Sequence, residues 1–384
     1  MIIERKEYLN KLITWKDKQL IKIVTGVRRC GKSVLLKMYQ DYLKNNGVKE
    51  SQIVTINFED LDYEELTNYK KLDNYLKEKL IPNKMTYIFL DEIQNVDQFP
   101  KVLDSFYIKD NVDIYVTGSN AHMLSSEIAT MISGRYIQIE MLPLSFKEYM
   151  ESTGNMNDRG IKYTEYLQNS SFPYALQLKN QPDNTKPAQP TDTMMLKNIL
   201  KFVFDNIGNP LSSKKISDTM TSLGRKINSR TVEKYLEAFS ESYIIYPAKR
   251  YNIKGKEYLK SLEKYYIVDI GMRYMLLGSK MMDTGHILEN VVYLELLRRG
   301  YDVYVGKIDN YEVNFVAQNH KGTIYYQVAL IVRDEKTLQR ELRPLQAIRD
   351  HYPKVILTMD EDPEIQYDGI RRINARDWLL GLTD

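Results

Sequence analysis

Gly26-Val27-Arg28-Arg29-Cys30-Gly31-Lys32-Ser33 spells G-x-x-x-x-G-K-S, and the segments on either side of it decide the fold. Upstream, Ile21 to Thr25 (IKIVT) is a short β-branched apolar run of the kind buried in a parallel sheet. Downstream, Val34 to Leu43 (VLLKMYQDYL) carries apolar residues near helical spacing. A glycine-bearing turn between such a strand and helix wraps backbone N–H groups around phosphates, aided by the positive end of the helix. In that arrangement Lys32 reaches the outer phosphates of a nucleoside triphosphate, and the Ser33 hydroxyl takes a place on Mg²⁺. The pattern fixes only four positions, so chance competes with function for the motif alone. The flanking strand and helix favour the phosphate reading.

A second piece arrives where phosphoryl chemistry needs it. Thr86 to Leu90 (TYIFL) is another buried-strand run, and it ends in Asp91-Glu92. An acidic pair at the carboxyl end of a parallel strand lies on the same sheet edge as the phosphate loop. Asp91 then suits Mg²⁺, directly or through water, and Glu92 suits the polarisation of an attacking water. The competing reading is a strand that ends in a solvated acidic turn. A third strand, Val112 to Thr117 (VDIYVT), leads into Gly118-Ser119-Asn120. A polar side chain there fits contact with the γ-phosphate or the water, and fits an ordinary turn equally well. Ile53 to Phe58 (IVTINF) and Ile137 to Leu142 add further strands. Strands alternating with helices imply a parallel sheet covered by helices. Arg135, in Met131-Ile132-Ser133-Gly134-Arg135-Tyr136, offers a guanidinium that can neutralise γ-phosphoryl charge, or an arginine paired at the surface. Pro143-Leu144-Ser145-Phe146 caps a short helix and marks the exit of this domain.

At 384 residues the chain exceeds one ordinary core, so two or three domains are expected. Hydrophobic content of 43% and charged content of 27% fit a soluble globular protein, and no apolar run is long enough to span a bilayer. The N-terminus (MIIERKEYLNKLITW) mixes charge into every turn, unlike a signal peptide. A single cysteine excludes an internal disulfide framework and fits a cytoplasmic protein. Cys30 itself reads either as an oxidation-sensitive thiol beside phosphate or as a small residue tolerated in the loop. A net charge of +3 is too small to argue for nucleic acid by itself. His122, His286, His320 and His351 show no metal-ligand spacing, so the expected metal is the Mg²⁺ that accompanies ATP.

Four segments are expected: residues 1–150 for the nucleotide-binding domain, 151–192 for a linker or irregular segment, 193–280 for a winged helix and 281–384 for a C-terminal α/β domain. The run Asn180 to Asp192 is rich in proline and polar residues, as a linker or loop would be. Met195–Phe204, Ile216–Leu223 and a third helix from Asn228-Ser229-Arg230-Thr231-Val232 to about Glu241 follow. Runs near Tyr243–Tyr246 and Tyr265–Val268 are suited to pair as the wing. Ser229, Arg230 and Lys234, with the basic turn Lys249 to Lys256, would face nucleic acid in such a module. Winged helices also serve as protein-interaction modules, and that reading stands level with the first. In the last block, Glu289, Asn314 and Gln327-Val328-Ala329 occupy the positions of a metal-dependent nuclease centre. Asn and Gln bind Mg²⁺ weakly beside carboxylates, and no lysine stands where charge must be stabilised. The chemistry predicts a non-cutting domain.

Together these segments resemble a large prokaryotic family of AAA-type ATPases with a C-terminal domain of unknown function. The resemblance rests on GVRRCGKS (Gly26–Ser33), FLDEIQNV (Phe89–Val96), TGSN (Thr117–Asn120), SGR (Ser133–Arg135), PLSFKEY (Pro143–Tyr149) and YEVNFVA (Tyr311–Ala317). It implies an α/β fold: an AAA-like P-loop parallel sheet, then a winged-helix segment, then a small restriction-endonuclease-like domain. It also implies phosphate and Mg²⁺ binding at Lys32 and Ser33, metal and water roles for Asp91 and Glu92, γ-phosphate sensing by Ser119 or Asn120, and a finger role for Arg135. Two departures stand out. Asn314 replaces the family's usual acid, and the region after Gln181 is short.

The expected activity is Mg²⁺-dependent ATP hydrolysis coupled to C-terminal domains that bind nucleic acid or a protein partner. A non-hydrolysing switch or scaffold is the alternative, and an ATP-dependent nuclease the third. Glu92 favours hydrolysis, since a pure binder needs no water-activating carboxylate. An arginine acting on a neighbour's nucleotide would require a homo-oligomer.

Overall fold

The computed structural model describes residues 3–121, 132–154, 157–178, 194–278 and 284–383. His122, Met131 and the Asn180–Asp192 run lie outside the described residues. The chain forms two compact units, Met1–Pro143 with Glu241–Tyr243, and Leu144–Ser240 with Ile244–Asp384.

The first unit is built on β1 (Ile21–Thr25), β2 (Ile53–Asn57), β3 (Thr86–Asp91), β4 (Val112–Gly118) and β5 (Tyr136–Glu140). They form a five-stranded sheet in the order β2-β3-β4-β1-β5, parallel at every pairing. Among the described residues four α-helices accompany it: α1 (Lys6–Thr14), α2 (Lys32–Asn45), α3 (Tyr69–Lys79) and α4 (Phe99–Tyr107). β1 and β3 are buried along their whole length, as strands of a parallel sheet covered on both faces are. Ile23, Ile88, Leu90 and Val116 pack with Leu103 and Phe106 of α4 in one core. The register pairs Thr25 with Gly118, Asn57 with Asp91 and Leu90 with Val116. The carboxyl ends of β1, β3 and β4 therefore finish along one edge. β1 lies between β4 and β5, where the strand order reverses, and such sheets open a ligand crevice at that point.

The second unit holds a nine-stranded sheet among the described residues, in the order β13-β14-β12-β11-β10-β9-β7-β8-β6. Its strands are β6 (Pro210–Leu211), β7 (Ile245–Asn252), β8 (Glu257–Ile267), β9 (Asp302–Ile308), β10 (Tyr311–Asn319), β11 (Gly322–Ala329), β12 (Lys354–Thr358), β13 (Ile365–Tyr367) and β14 (Ile370–Asn374). Helices Met194–Asp205, Ser213–Ser222 and Ser229–Glu241 precede the antiparallel β7–β8 hairpin. β7 also pairs parallel with β9, so the hairpin and the C-terminal strands share one sheet. Within the stretch read as irregular, Arg159–Gln168 and Pro173–Leu178 are helical. Tyr163 and Tyr166, three residues apart, are buried on one helical face, and both rings pack on Phe146, Tyr163 edge-on at 5.2 Å. Polar composition hid this short apolar stripe. Among the described residues no helix is long and apolar enough to cross a membrane.

Candidate nucleotide-binding site

The phosphate loop leaves β1 at Thr25 and enters α2 at Lys32. Gly26 has φ +142°, and an ideal Cβ there would stand 2.1 Å from the Met141 carbonyl oxygen, so no side chain fits. Gly31 precedes α2 with φ +105°, and Arg29 is left-handed at φ +68°. Both fixed glycines of the motif thus meet a backbone need. Lys32 is 4% exposed, and its Nζ donates to the carbonyls of Gly26 (3.0 Å) and Val27 (3.3 Å). The same ammonium lies 3.8 Å from Glu92 Oε1. Arg28 and Arg29 are exposed, and Arg28 pairs with Glu59 at 2.5 Å. Val27 and Cys30 are buried. Burial pushes the Cys30 thiol up, against the pull of the Lys32 and Arg5 charges. A buried thiol held protonated does not suit oxidation, which leaves the packing role.

Across the same sheet edge, Asp91 ends β3 and Glu92 follows with φ +54°. Burial raises the Asp91 carboxyl above its ordinary range; hydrogen bonds with the Ser33 and Thr117 hydroxyls oppose the shift, and the Glu92 charge reinforces it. The Glu92 N–H donates to Thr117 Oγ1 at 2.9 Å. Its carboxylate accepts from Ser119 Oγ (2.9 Å) and Gln94 Nε2 (2.5 Å). Lys32, Ser33, Asp91, Glu92 and Ser119 are therefore joined through direct contacts. Asn120 is partly buried in the turn after β4. Thr117, whose hydroxyl donates to the Asp91 carboxylate and accepts the Glu92 N–H, had no functional reading in the sequence; its place in the TGSN segment beside the acidic pair was the available signal.

Arg135 stands elsewhere. Its guanidinium donates to Asp104 and lies 5.3 Å from the Tyr107 ring centroid, and its carbonyl accepts from the Ile21 N–H at 2.8 Å. That places it at the amino end of β1, on the opposite sheet edge from Gly26. At about 3.3 Å per strand residue the separation is roughly 16 Å. The structure does not bring Arg135 to the phosphate loop of its own chain.

Ser33 and Asp91 offer adjoining hydroxyl and carboxylate oxygens, a donor set that suits Mg²⁺. A cation there would offset the charge that burial disfavours on Asp91. Among the described residues there is no cluster of three or more His, Cys, Asp or Glu fit for a metal.

In the second unit, Glu289, Asn314, Gln327 and Glu341 line a cavity of about 500 Å³. The three nuclease-position residues do converge, with their polar groups already engaged. Asn314 Oδ1 accepts from the Val328 N–H (3.0 Å), Gln327 Oε1 from the Asn314 N–H (3.2 Å), and Gln327 Nε2 donates to Glu341 (2.8 Å). Glu289 accepts from Tyr266 OH (2.5 Å) and pairs with Lys264 (3.1 Å), which also pairs with Glu312 (2.8 Å). Burial works against the Lys264 charge, but Glu289 and Glu312 outweigh it and hold its pKa up. On the Ser229–Glu241 helix, exposed Arg230 and Lys234 alternate with exposed Glu233 and Glu237, and Lys254 at the hairpin tip pairs with Asp309 at 2.6 Å.

Residues 18–150 match the AAA domain, and residues 162–283 match a domain of unknown function (DUF8612). An uncharacterized protein of Haemophilus influenzae is 37% identical over 401 residues, covering 99% of each chain. The chain belongs to the same family as that protein. A Methanocaldococcus jannaschii relative, also uncharacterized, is 32% identical over 328 residues, covering 77% of this chain and 71% of its own. Among solved structures, a Walker-type ATPase of Pyrococcus abyssi is similar, with 15% identity and a TM-score of 0.48 over 72% of this chain and 96% of that one. The AMPPCP-bound DnaA of Aquifex aeolicus is similar at 12% identity and a TM-score of 0.32, over 61% of this chain and 86% of its own. The AAA domain match spans the phosphate loop, the acidic pair and Arg135.

Proposed function

We propose that this protein is a Mg²⁺-dependent ATPase whose nucleotide state governs partner binding by the second unit. The observation that carries the reading is the contact set around Lys32: a buried ammonium between the loop carbonyls and Glu92, with Ser33 bonded to Asp91. In this reading the loop N–H groups and Lys32 hold the β- and γ-phosphates, and Ser33 and Asp91 hold Mg²⁺, which neutralises phosphoryl charge when bound. Glu92, steadied by Ser119 and Gln94, orients the attacking water. Ser119 and Asn120 sense the terminal phosphate.

The far-edge position of Arg135 supports a role on a neighbouring chain's nucleotide, which entails a nucleotide-dependent homo-oligomer. The three helices and the β7–β8 hairpin act as a winged-helix module in this account. Acids interleaved among the basic residues of Ser229–Glu241 favour a protein partner over a nucleic acid backbone. The engaged amides at Asn314 and Gln327 favour a nuclease-like fold that does not cut. Turnover of ATP is measured for wild type and Glu92→Gln. Wild-type hydrolysis with a loss of about 10²- to 10³-fold in the variant, at retained ATP binding, supports the reading. Binding without turnover in the wild type would replace it with a non-hydrolysing switch.

A further inference from the structure

Arg5 lies outside every motif discussed above, yet the residue is 2% exposed and its guanidinium sits between the phosphate loop and the segment by which the chain leaves the first unit. Nη1 donates to the Cys30 carbonyl at 3.0 Å, and Nη2 to the carbonyls of Leu142 (2.7 Å) and Pro143 (3.5 Å). Tyr8, one helical turn on, packs its ring 4.9 Å from the Arg5 guanidinium and accepts the Leu142 N–H at its hydroxyl, 3.1 Å away. Both backbone groups of Leu142 are thus held by side chains of this N-terminal stretch. The exit segment also touches the start of the loop: the Met141 N–H donates to Thr25 (2.7 Å), and its carbonyl leaves no room for a side chain on Gly26.

The Cys30 carbonyl belongs to the same peptide unit as the Gly31 N–H. That peptide is trans, so the two groups point in opposite directions within its plane. Gly31, at φ +105°, has no side chain to resist rotation of that peptide. A charged donor fixed on the Cys30 oxygen therefore fixes the direction of the Gly31 N–H, one of the groups with which such a loop holds phosphate. We propose that Arg5 is a positioning residue of the nucleotide site that sets the Cys30–Gly31 peptide for phosphate and ties that setting to the Met141–Pro143 exit segment. The proposal rests on the nucleotide-binding reading and adds its route out of the site. Nucleotide that firms the Cys30–Gly31 peptide firms the Arg5 bonds to Leu142 and Pro143, and displacement of the exit segment loosens the loop.

The full chain is compared with Arg5→Met and Arg5→Lys for affinity toward Mg·AMPPCP and for amide hydrogen exchange over Gly26–Ser33 and Met141–Leu142. Wild type should show slower exchange in both segments on binding nucleotide. Arg5→Met should bind roughly ten- to a hundredfold more weakly, the range for losing hydrogen bonds from a charged group, and should lose the nucleotide response at Met141–Leu142. Arg5→Lys keeps the charge but not the two-armed donor; it should regain part of the affinity and none of the response at Met141–Leu142. Either variant binding within twofold of wild type, or keeping that exchange response while merely melting earlier, overturns the proposal. Wild type that fails to bind Mg·AMPPCP sinks the nucleotide reading beneath it, a result visible before any variant is compared.

Discussion

Lys22→Met tests the account of what holds the phosphate-loop unit together. Lys22 interrupts the apolar run of β1 and is fully buried, with Nζ 2.5 Å from Asp113 Oδ1 on β4 and 2.7 Å from the Lys18 carbonyl. Asp113 also accepts from Tyr115 OH (2.8 Å) and the Asp17 N–H (2.9 Å), and Tyr115 OH bonds Tyr39 OH of α2 at 2.8 Å. The network thus links the helix that follows the phosphate loop to the two central strands. Burial lowers the Lys22 pKa and raises that of Asp113, so both partners register incomplete compensation for desolvation. Removing only the ammonium leaves a buried, uncompensated carboxylate, which costs about 3–5 kcal/mol. For a unit of this size that lowers the melting midpoint by roughly 10–15 °C. The sign with pH follows from Asp113. Its folded pKa already lies above the ordinary value and rises further without Lys22, so the folded state takes up a proton first. The loss is full above that raised pKa and shrinks as pH falls through it. Urea unfolding of wild type, Lys22→Met and Lys22→Met/Asp113→Asn at pH 5 and pH 8 measures this. The double variant, neutral yet still an acceptor for Tyr115 and Asp17, should recover much of the stability. A single variant that loses under about 1 kcal/mol at pH 8, or loses equally at both pH values, refutes the reasoning.

Asp91→Asn should leave the nucleotide-free protein at least as stable as wild type at pH 8, because burial disfavours the native carboxylate, with the gap closing in acid as Asp91 takes its proton; thermal midpoints at pH 5.5 and 8 check this. The same reasoning predicts that wild-type affinity for Mg²⁺-nucleotide falls as pH drops through the raised Asp91 pKa, measurable by titration calorimetry. Gly26→Ala should displace the Met141 backbone and lose nucleotide binding at least tenfold, read by fluorescent-nucleotide titration. Lys264→Met should strand Glu289 and destabilise the second unit by about 3 kcal/mol or more in urea, without altering nucleotide affinity.

Contiguous residues made much of the first unit legible. IKIVT, the glycine loop and the helix that follows carry their own signals, and TYIFL announces the acidic edge by ending in it. Long-range partners left no such mark. Arg5 reads as one more charge in a polar N-terminus, and its carbonyl partners lie 25, 137 and 138 residues away. Lys22 and Asp113 look like surface residues within their strands until β1 and β4 are laid side by side. Arg135 shows the converse: a motif can name a residue without saying which sheet edge it occupies. In the second unit the strands were readable one by one, but the parallel β7–β9 pairing that merges them is a fact of topology, with no local signature. Lys264 likewise comes from β8, outside the β11 segment where the nuclease pattern places its lysine.

Calorimetric titration of Mg·ATP into wild type and Lys32→Ala bears most directly on the central claim. Saturable binding of one nucleotide per chain, weakened by chelating Mg²⁺ and lost on replacing Lys32, is the predicted result. Absence of binding by the wild type, or equal binding by both proteins, would contradict it.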